Sequence, residues 1–147
     1  MATKIFINLA VKDLNKSKEF FTRLGFKFNP VFSDDTAACM IIGENIFSNL
    51  LIESKFKEYT GKEISNSHKY TETLISIDLD SREKVDEMAE KAIAAGGSTY
   101  RETDDLGWMY QRSIEDLDGH QWELIYMNEV EMNKAMEKKS NHNVPSQ

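Results

Sequence analysis

The chain has 147 residues, 40% of them apolar, 10% aromatic and 29% charged, which supplies the core and coat of one globular domain and excludes a disordered chain or a coiled coil. Its 18 lysines and arginines stand against 25 aspartates and glutamates, a net charge of −7 that repels phosphate backbones and anionic lipid, so neither nucleic acid nor a membrane is expected as a partner. No uncharged apolar run approaches the ~18 residues of a membrane span, MATKIFINLAV does not resemble a secretory signal, and a lone Cys39 builds no disulfide framework, so a cytoplasmic protein is expected.

Lys4 to Val11 alternate, with Ile5, Ile7, Leu9 and Val11 on one face and Phe6, Asn8 and Ala10 on the other, which predicts a strand. Asn15 is the expected cap of a helix running to about Leu24, with Phe20, Phe21 and Leu24 at helical spacing and Gly25 as its stop. Three further strands are predicted at Lys27 to Phe32, Ala37 to Ile42 and Phe47 to Ile52; Cys39, in the run AACMII, reads as a small buried residue. The segment 54–71 has no sustained period and reads as a linker, in which the lone aromatics Phe56 and Tyr59 suit a lid.

Glu72 to Asp80 alternate again, and Asp80 with Glu83 has capping-box spacing. The helix that follows carries Val85, Met88, Ala89, Ala92 and Ile93 on one stripe and stops at Gly96-Gly97. Strands are predicted at Ser98 to Glu102, Met109 to Glu115 and Gln121 to Met127, the last after the hairpin turn Asp116-Leu117-Asp118-Gly119. The architecture thus repeats as βαβββ twice, modules 4–53 and 72–128 of one domain spanning 1–128, with a polar tail over 129–147.

Two such modules, with VKDLNKSKEFFTRLGF in the first and SREKVDEMAEKAIAAGG then MYQRSIEDLDGHQWEL in the second, resemble the vicinal oxygen chelate superfamily of glyoxalase I, bleomycin-resistance proteins and extradiol dioxygenases over residues 4–128. The D-x-DGH-x-WE end is among the more specific signatures of that superfamily. The resemblance implies an α+β fold whose two modules form a curved mixed sheet, a small organic molecule held in the trough of that sheet, and a homodimer supporting the sites. Fold alone does not select the chemistry.

The resemblance also implies metal ligands at three places. Counting back from Asp13, the first falls on Phe6, whose ring binds no divalent cation. The second lies near Leu74, where Glu72 on the same face is able to coordinate, and the third matches Glu123. His120 precedes Glu123 by an odd offset and so takes the opposite face, His68 sits in the linker and His142 in the tail. Two carboxylates make at best a weak site for a hard cation. The sequence therefore favours a site without a cofactor; the alternative is a divalent metal held by Glu123 and Glu72.

Without metal, an inward Glu123 needs a cation, hydrogen-bond donors or a proton, and Arg101 and Arg112 on neighbouring strands are candidate partners. Asp116 and Asp118 are explained by capping the turn backbone. Parity puts Phe6, Asn8, Glu72, Ser76, Gln111 and Glu123 on the inner wall, with Phe6 an aromatic surface for a planar or apolar guest, Asn8, Asn49 and Gln111 as oriented donors and acceptors, and Trp108 added to the ligand site. Phe47, Tyr110 and Trp122 read as core or rim. Two functions stay open: a binding or sequestering protein of the bleomycin-resistance type, favoured by the missing first ligand, and a metal-dependent lyase or extradiol-type dioxygenase with Glu123 as catalytic residue.

Overall fold

The computed structural model describes residues 1–142. Its first module runs β1 (Ile5–Val11), α1 (Leu14–Arg23), β2 (Lys27–Asn29), a 3-10 turn (Pro30–Phe32), β3 (Ala37–Gly43) and β4 (Ile46–Ile52). The second runs β5 (Leu74–Asp78), α3 (Arg82–Ala94), β6 (Asp104–Asp105), β7 (Met109–Glu115) and β8 (Gln121–Met127), with α2 (Glu53–Thr60) between the modules and α4 (Glu129–His142) after them. Each module closes its own four-stranded mixed sheet, ordered β1-β4-β3-β2 and β5-β8-β7-β6, with the outer pairs β1·β4 and β5·β8 parallel.

Several predicted boundaries move. Asp13, not Asn15, caps α1, because its backbone is extended and its carboxylate accepts the Lys16 N–H at 3.0 Å. Ser81, not Asp80, caps α3, its hydroxyl accepting the Lys84 N–H at 3.1 Å. β2 ends at Asn29 because Pro30 has no N–H to offer β3, and the chain winds into the 3-10 turn instead. The strand expected at Ser98 to Glu102 shrinks to a single bridge from Ser98 to Glu115, and pairing resumes only at β6. The segments read as linker and tail carry the helices α2 and α4; residues 143–147 lie outside the described residues.

The core lies between the sheets and helices α1 and α3. Leu9, Val11, Met40 and Leu50 from the first sheet and Ile75, Ile114, Trp122 and Leu124 from the second join Phe20, Phe21, Val85 and Ala89 in one buried cluster. Trp122, 2% exposed, meets Phe21 edge-on at 5.7 Å between ring centroids. The β7–β8 turn clasps the first module. Asp116 holds the turn by accepting the Asp118 and His120 N–H groups at 3.0 Å and the Trp122 indole N–H at 3.1 Å. That leaves Asp118 free to accept the Lys12 N–H at 2.8 Å and the Ser17 hydroxyl at 3.3 Å, while His120 Nε2 lies 2.7 Å from the Ala10 carbonyl. Gly119 is required there: its φ is +82°, and a Cβ would stand 2.8 Å from the His68 backbone nitrogen.

Candidate functional site

The faces turned away from α1 and α3 carry every inward residue expected from parity on the strands. In the first sheet that face presents Phe6, Asn8 and Ala10 opposite Phe47, Asn49 and Leu51. Phe6 stacks on Phe47, 4.9 Å between centroids and 14° between planes, and stays 49% exposed. Beside the rings, the Asn49 amide donates to Asn8 Oδ1 at 3.1 Å. At the far end of the face Ala10 and Leu51 are buried, where α2 packs on β1 and β4. In α2, Phe56 is half-buried and Tyr59 exposed.

In the second sheet the corresponding face presents Ser76 opposite Glu123, and Ser113 beside it on β7. Glu123 is 2% exposed. Its Oε1 accepts the Tyr100 hydroxyl at 2.5 Å, and its Oε2 accepts the Ser113 hydroxyl at 2.7 Å and the Gln111 amide. Three neutral donors thus surround a carboxylate that would otherwise lose its hydration with nothing in return. Burial, followed by the bond to Glu123, pushes the Tyr100 hydroxyl far above its usual range, so it remains a proton donor at any physiological pH.

Neither arginine partners Glu123. Arg112 stands opposite Leu124 in the β7–β8 register, on the helix side, and pairs with Asp86 at 3.4 Å and Glu90 at 2.8 Å of α3. Arg101 pairs with Asp104 at 3.3 Å. The structure brings Ser76, Gln111 and Glu123 together and places Phe6 and Asn8 on the other sheet. Glu72 precedes β5 and is exposed, and Trp108 is half-buried just before β7. Sequence reasoning missed Tyr100; its signal was a lone aromatic opposite the Gln111 and Ser113 that frame Glu123.

A divalent metal does not fit the residues present. Glu123 has both oxygens engaged by donors, Phe6 offers no lone pair, and no group of three or more His, Cys, Asp or Glu side chains gathers to hold an ion among the described residues. Nor is any helix among them long and apolar enough to cross a membrane.

Residues 3–43 match a family model described as bleomycin resistance protein-like N-terminal. No curated protein matches the chain. Among solved structures, a hypothetical protein, SA1046, from S. aureus shares 28% identity over 86% of this chain and 94% of its own, at a TM-score of 0.74. A glyoxalase-related enzyme from Fulvimarina pelagi shares 22% over 88% and 91%, at 0.73. A glyoxalase/bleomycin resistance protein/dioxygenase family enzyme from Burkholderia phytofirmans shares 16% over 84% and 97%, at 0.71. The paired βαβββ modules are thus those of the glyoxalase/bleomycin resistance/dioxygenase proteins. The chain's residues 3–43 fit the bleomycin-resistance-like model, and the whole described chain shares the fold of these proteins.

Proposed function

We propose that the protein binds a small organic molecule on the sheet faces turned from α1 and α3, with a second copy of the chain completing the trough, and that it does so without a catalytic metal. The carrying observation is the exposed Phe6–Phe47 stack at the place where the resemblance implies a metal ligand, next to the Asn8–Asn49 amide pair. An open aromatic stack offers dispersion and quadrupole contacts to a flat guest, and the amides fix its orientation. Phe6, Ile41 and Phe47 on one sheet and Leu74 and Met127 on the other leave apolar faces open to solvent in a single chain, which favours a dimer. A binding or sequestering protein of the bleomycin-resistance type follows from this arrangement. The competing reading, a metal-dependent lyase or dioxygenase, keeps Glu123 as its one supporting residue and needs Tyr100 and Gln111 to release it.

The test is native mass spectrometry with metal analysis of the purified protein. We expect a dimer, substoichiometric metal and a melting temperature unchanged by chelator. One tightly held metal per chain, lost in Glu123→Ala, would overturn the metal-free reading.

A further inference from the structure

The second sheet lacks one rung that the first has. Glu115 of β7 exchanges two backbone bonds with Ser98, at 3.2 and 2.7 Å, and pairing resumes only where Gln111 meets Asp104. Between these points the five residues 99–103 face three of β7, 112–114, and bow away from them. In the first sheet the corresponding place is filled, Cys39 standing opposite Asn29. Among the described residues no backbone hydrogen bond reaches 99–103, and Thr99, Arg101, Glu102 and Thr103 are exposed. A cleft of about 470 Å³, which Thr99, Arg101 and Thr103 line with Arg112, leaves the bow without a packed backing there. One side chain ties it to the sheet: the Tyr100 hydroxyl donates to Glu123 Oε1 at 2.5 Å. Its other polar bonds stay local, from Thr99 Oγ1 to the Arg101 carbonyl at 3.2 Å and from Arg101 to Asp104 at 3.3 Å.

We propose that residues 99–103 form a strap latched by Tyr100, which opens between Ser98 and Asp104 while the sheet stays folded, and that opening uncovers Glu123 on the trough face. Segments that open locally are those with few ladder bonds and little buried apolar surface, and the strap has neither in quantity. The sheet does not need it: β7 and β8 pair along their whole length, Met109 with Met127 through Glu115 with Gln121. When the strap leaves, Ser113 and Gln111 remain on β7, so the carboxylate keeps two of its three donors and takes water at Oε1. The phenol is hydrated too. What is lost is the net worth of one hydrogen bond to a carboxylate, roughly ten- to a hundredfold in population, which makes the latch releasable. In the closed form Glu123 is 2% exposed; in the open form its free oxygen faces the same side of the sheet as exposed Ser76 on β5. Tyr100 thus decides whether Glu123 is a structural acceptor or a group open to a guest. The latch does not depend on the trough reading, because it uses neither Phe6 nor a second chain.

The test is native-state trypsin digestion of the full chain, with the cut after Arg101 reporting the strap and the cut after Lys84 in α3 reporting global unfolding. In the wild type the Arg101 cut should depend only weakly on urea below the unfolding transition, and the Lys84 cut steeply. Tyr100→Phe, which removes only the hydroxyl, should speed the Arg101 cut at least about tenfold. Gln111→Ala removes another donor to Glu123, but one shared by the closed and open forms, so it should leave the Arg101 cut within about twofold. Coupling of glycinamide by a water-soluble carbodiimide, mapped by mass spectrometry, should modify Glu123 with the shallow urea dependence of the Arg101 cut; this arm needs no variant and stands even if Tyr100→Phe fails to fold. The proposal is overturned by an Arg101 cut unmoved in Tyr100→Phe, by one that Gln111→Ala speeds equally, or by Glu123 coupling that follows the Lys84 cut.

Discussion

In the first module the rung at Asn8 and Asn49 continues to Cys39 and Asn29; in the second the same rung reads Ser76, Glu123 and Ser113, and then stops. One backbone plan thus carries an open face of rings and amides and a closed face built around a carboxylate. The difference lies in how far each is covered: Phe6 stays 49% exposed on its stack with half-buried Phe47, whereas Tyr100, on the bowed segment, reaches back over Glu123, which is 2% exposed. The open aromatic face and the structural polar network are separated between the sheets, and the helix side, shared by both, carries the common core.

Trp122→Ala tests that shared side and should have the largest effect, about 3–5 kcal/mol of lost stability, because the indole fills the contact with Phe21 and its N–H satisfies buried Asp116. Denaturant unfolding should remain a single transition in the wild type, monitored by probes in both modules. Separate transitions for the two modules would break the shared-core argument.

Glu123→Leu comes next. It orphans the donors of Tyr100, Gln111 and Ser113 at roughly 1–3 kcal/mol each, partly recovered by water, so a loss of about 3 kcal/mol is expected, with the Tyr100 phenol titrating closer to its usual value in ultraviolet pH titration. A neutral outcome would mean that Glu123 is free to serve a ligand. Phe6→Ala should do the reverse: being half-exposed, it should cost stability under about 1 kcal/mol, yet weaken an aromatic guest at least about tenfold in calorimetric titration. Equal binding by wild type and Phe6→Ala would remove the first sheet from the site.

The long strands were legible because each has a polar or open face and a core face: β1, β3, β4, β7 and β8 fall within a residue or so of their alternation. What failed depended on register. Arg112 and Glu123 sit on adjacent strands, but whether they share a face depends on which residues pair, and Arg112 pairs with Leu124. Asn15 and Asp80 each lie beside another capping residue, and only the backbone turn selects Asp13 and Ser81. α4 went unseen because it has no buried stripe to declare it. The missing rung is invisible in sequence, since five residues facing three look like any short polar strand.

The smallest expected effect separates the modules by how each pins the turn beside its short edge strand. In the first, Asp34 accepts the Thr36 hydroxyl and the Thr36 and Ala37 N–H groups at 2.7, 2.7 and 3.0 Å, and these neutral donors lower its carboxyl below the usual range. In the second, the Arg82 guanidinium forks onto Asp105 at 2.7 and 2.9 Å and, with the Gly107 N–H, lowers that carboxyl to about 2. Both values are depressed, so each contact contributes above the ordinary carboxylate range and is lost as pH falls below it, for Asp105 through about 2. Salt distinguishes them. An ion pair at the surface is screened and a local hydrogen bond is not, so carboxyl NMR titration in about 1 M salt should raise the Asp105 midpoint more than that of Asp34, where the pull of the Lys55 charge is the smallest of the causes. If both midpoints move alike, the edge of the second sheet is held by local geometry as the first is, and Arg82 adds only its bond to the Gly107 carbonyl at 3.0 Å.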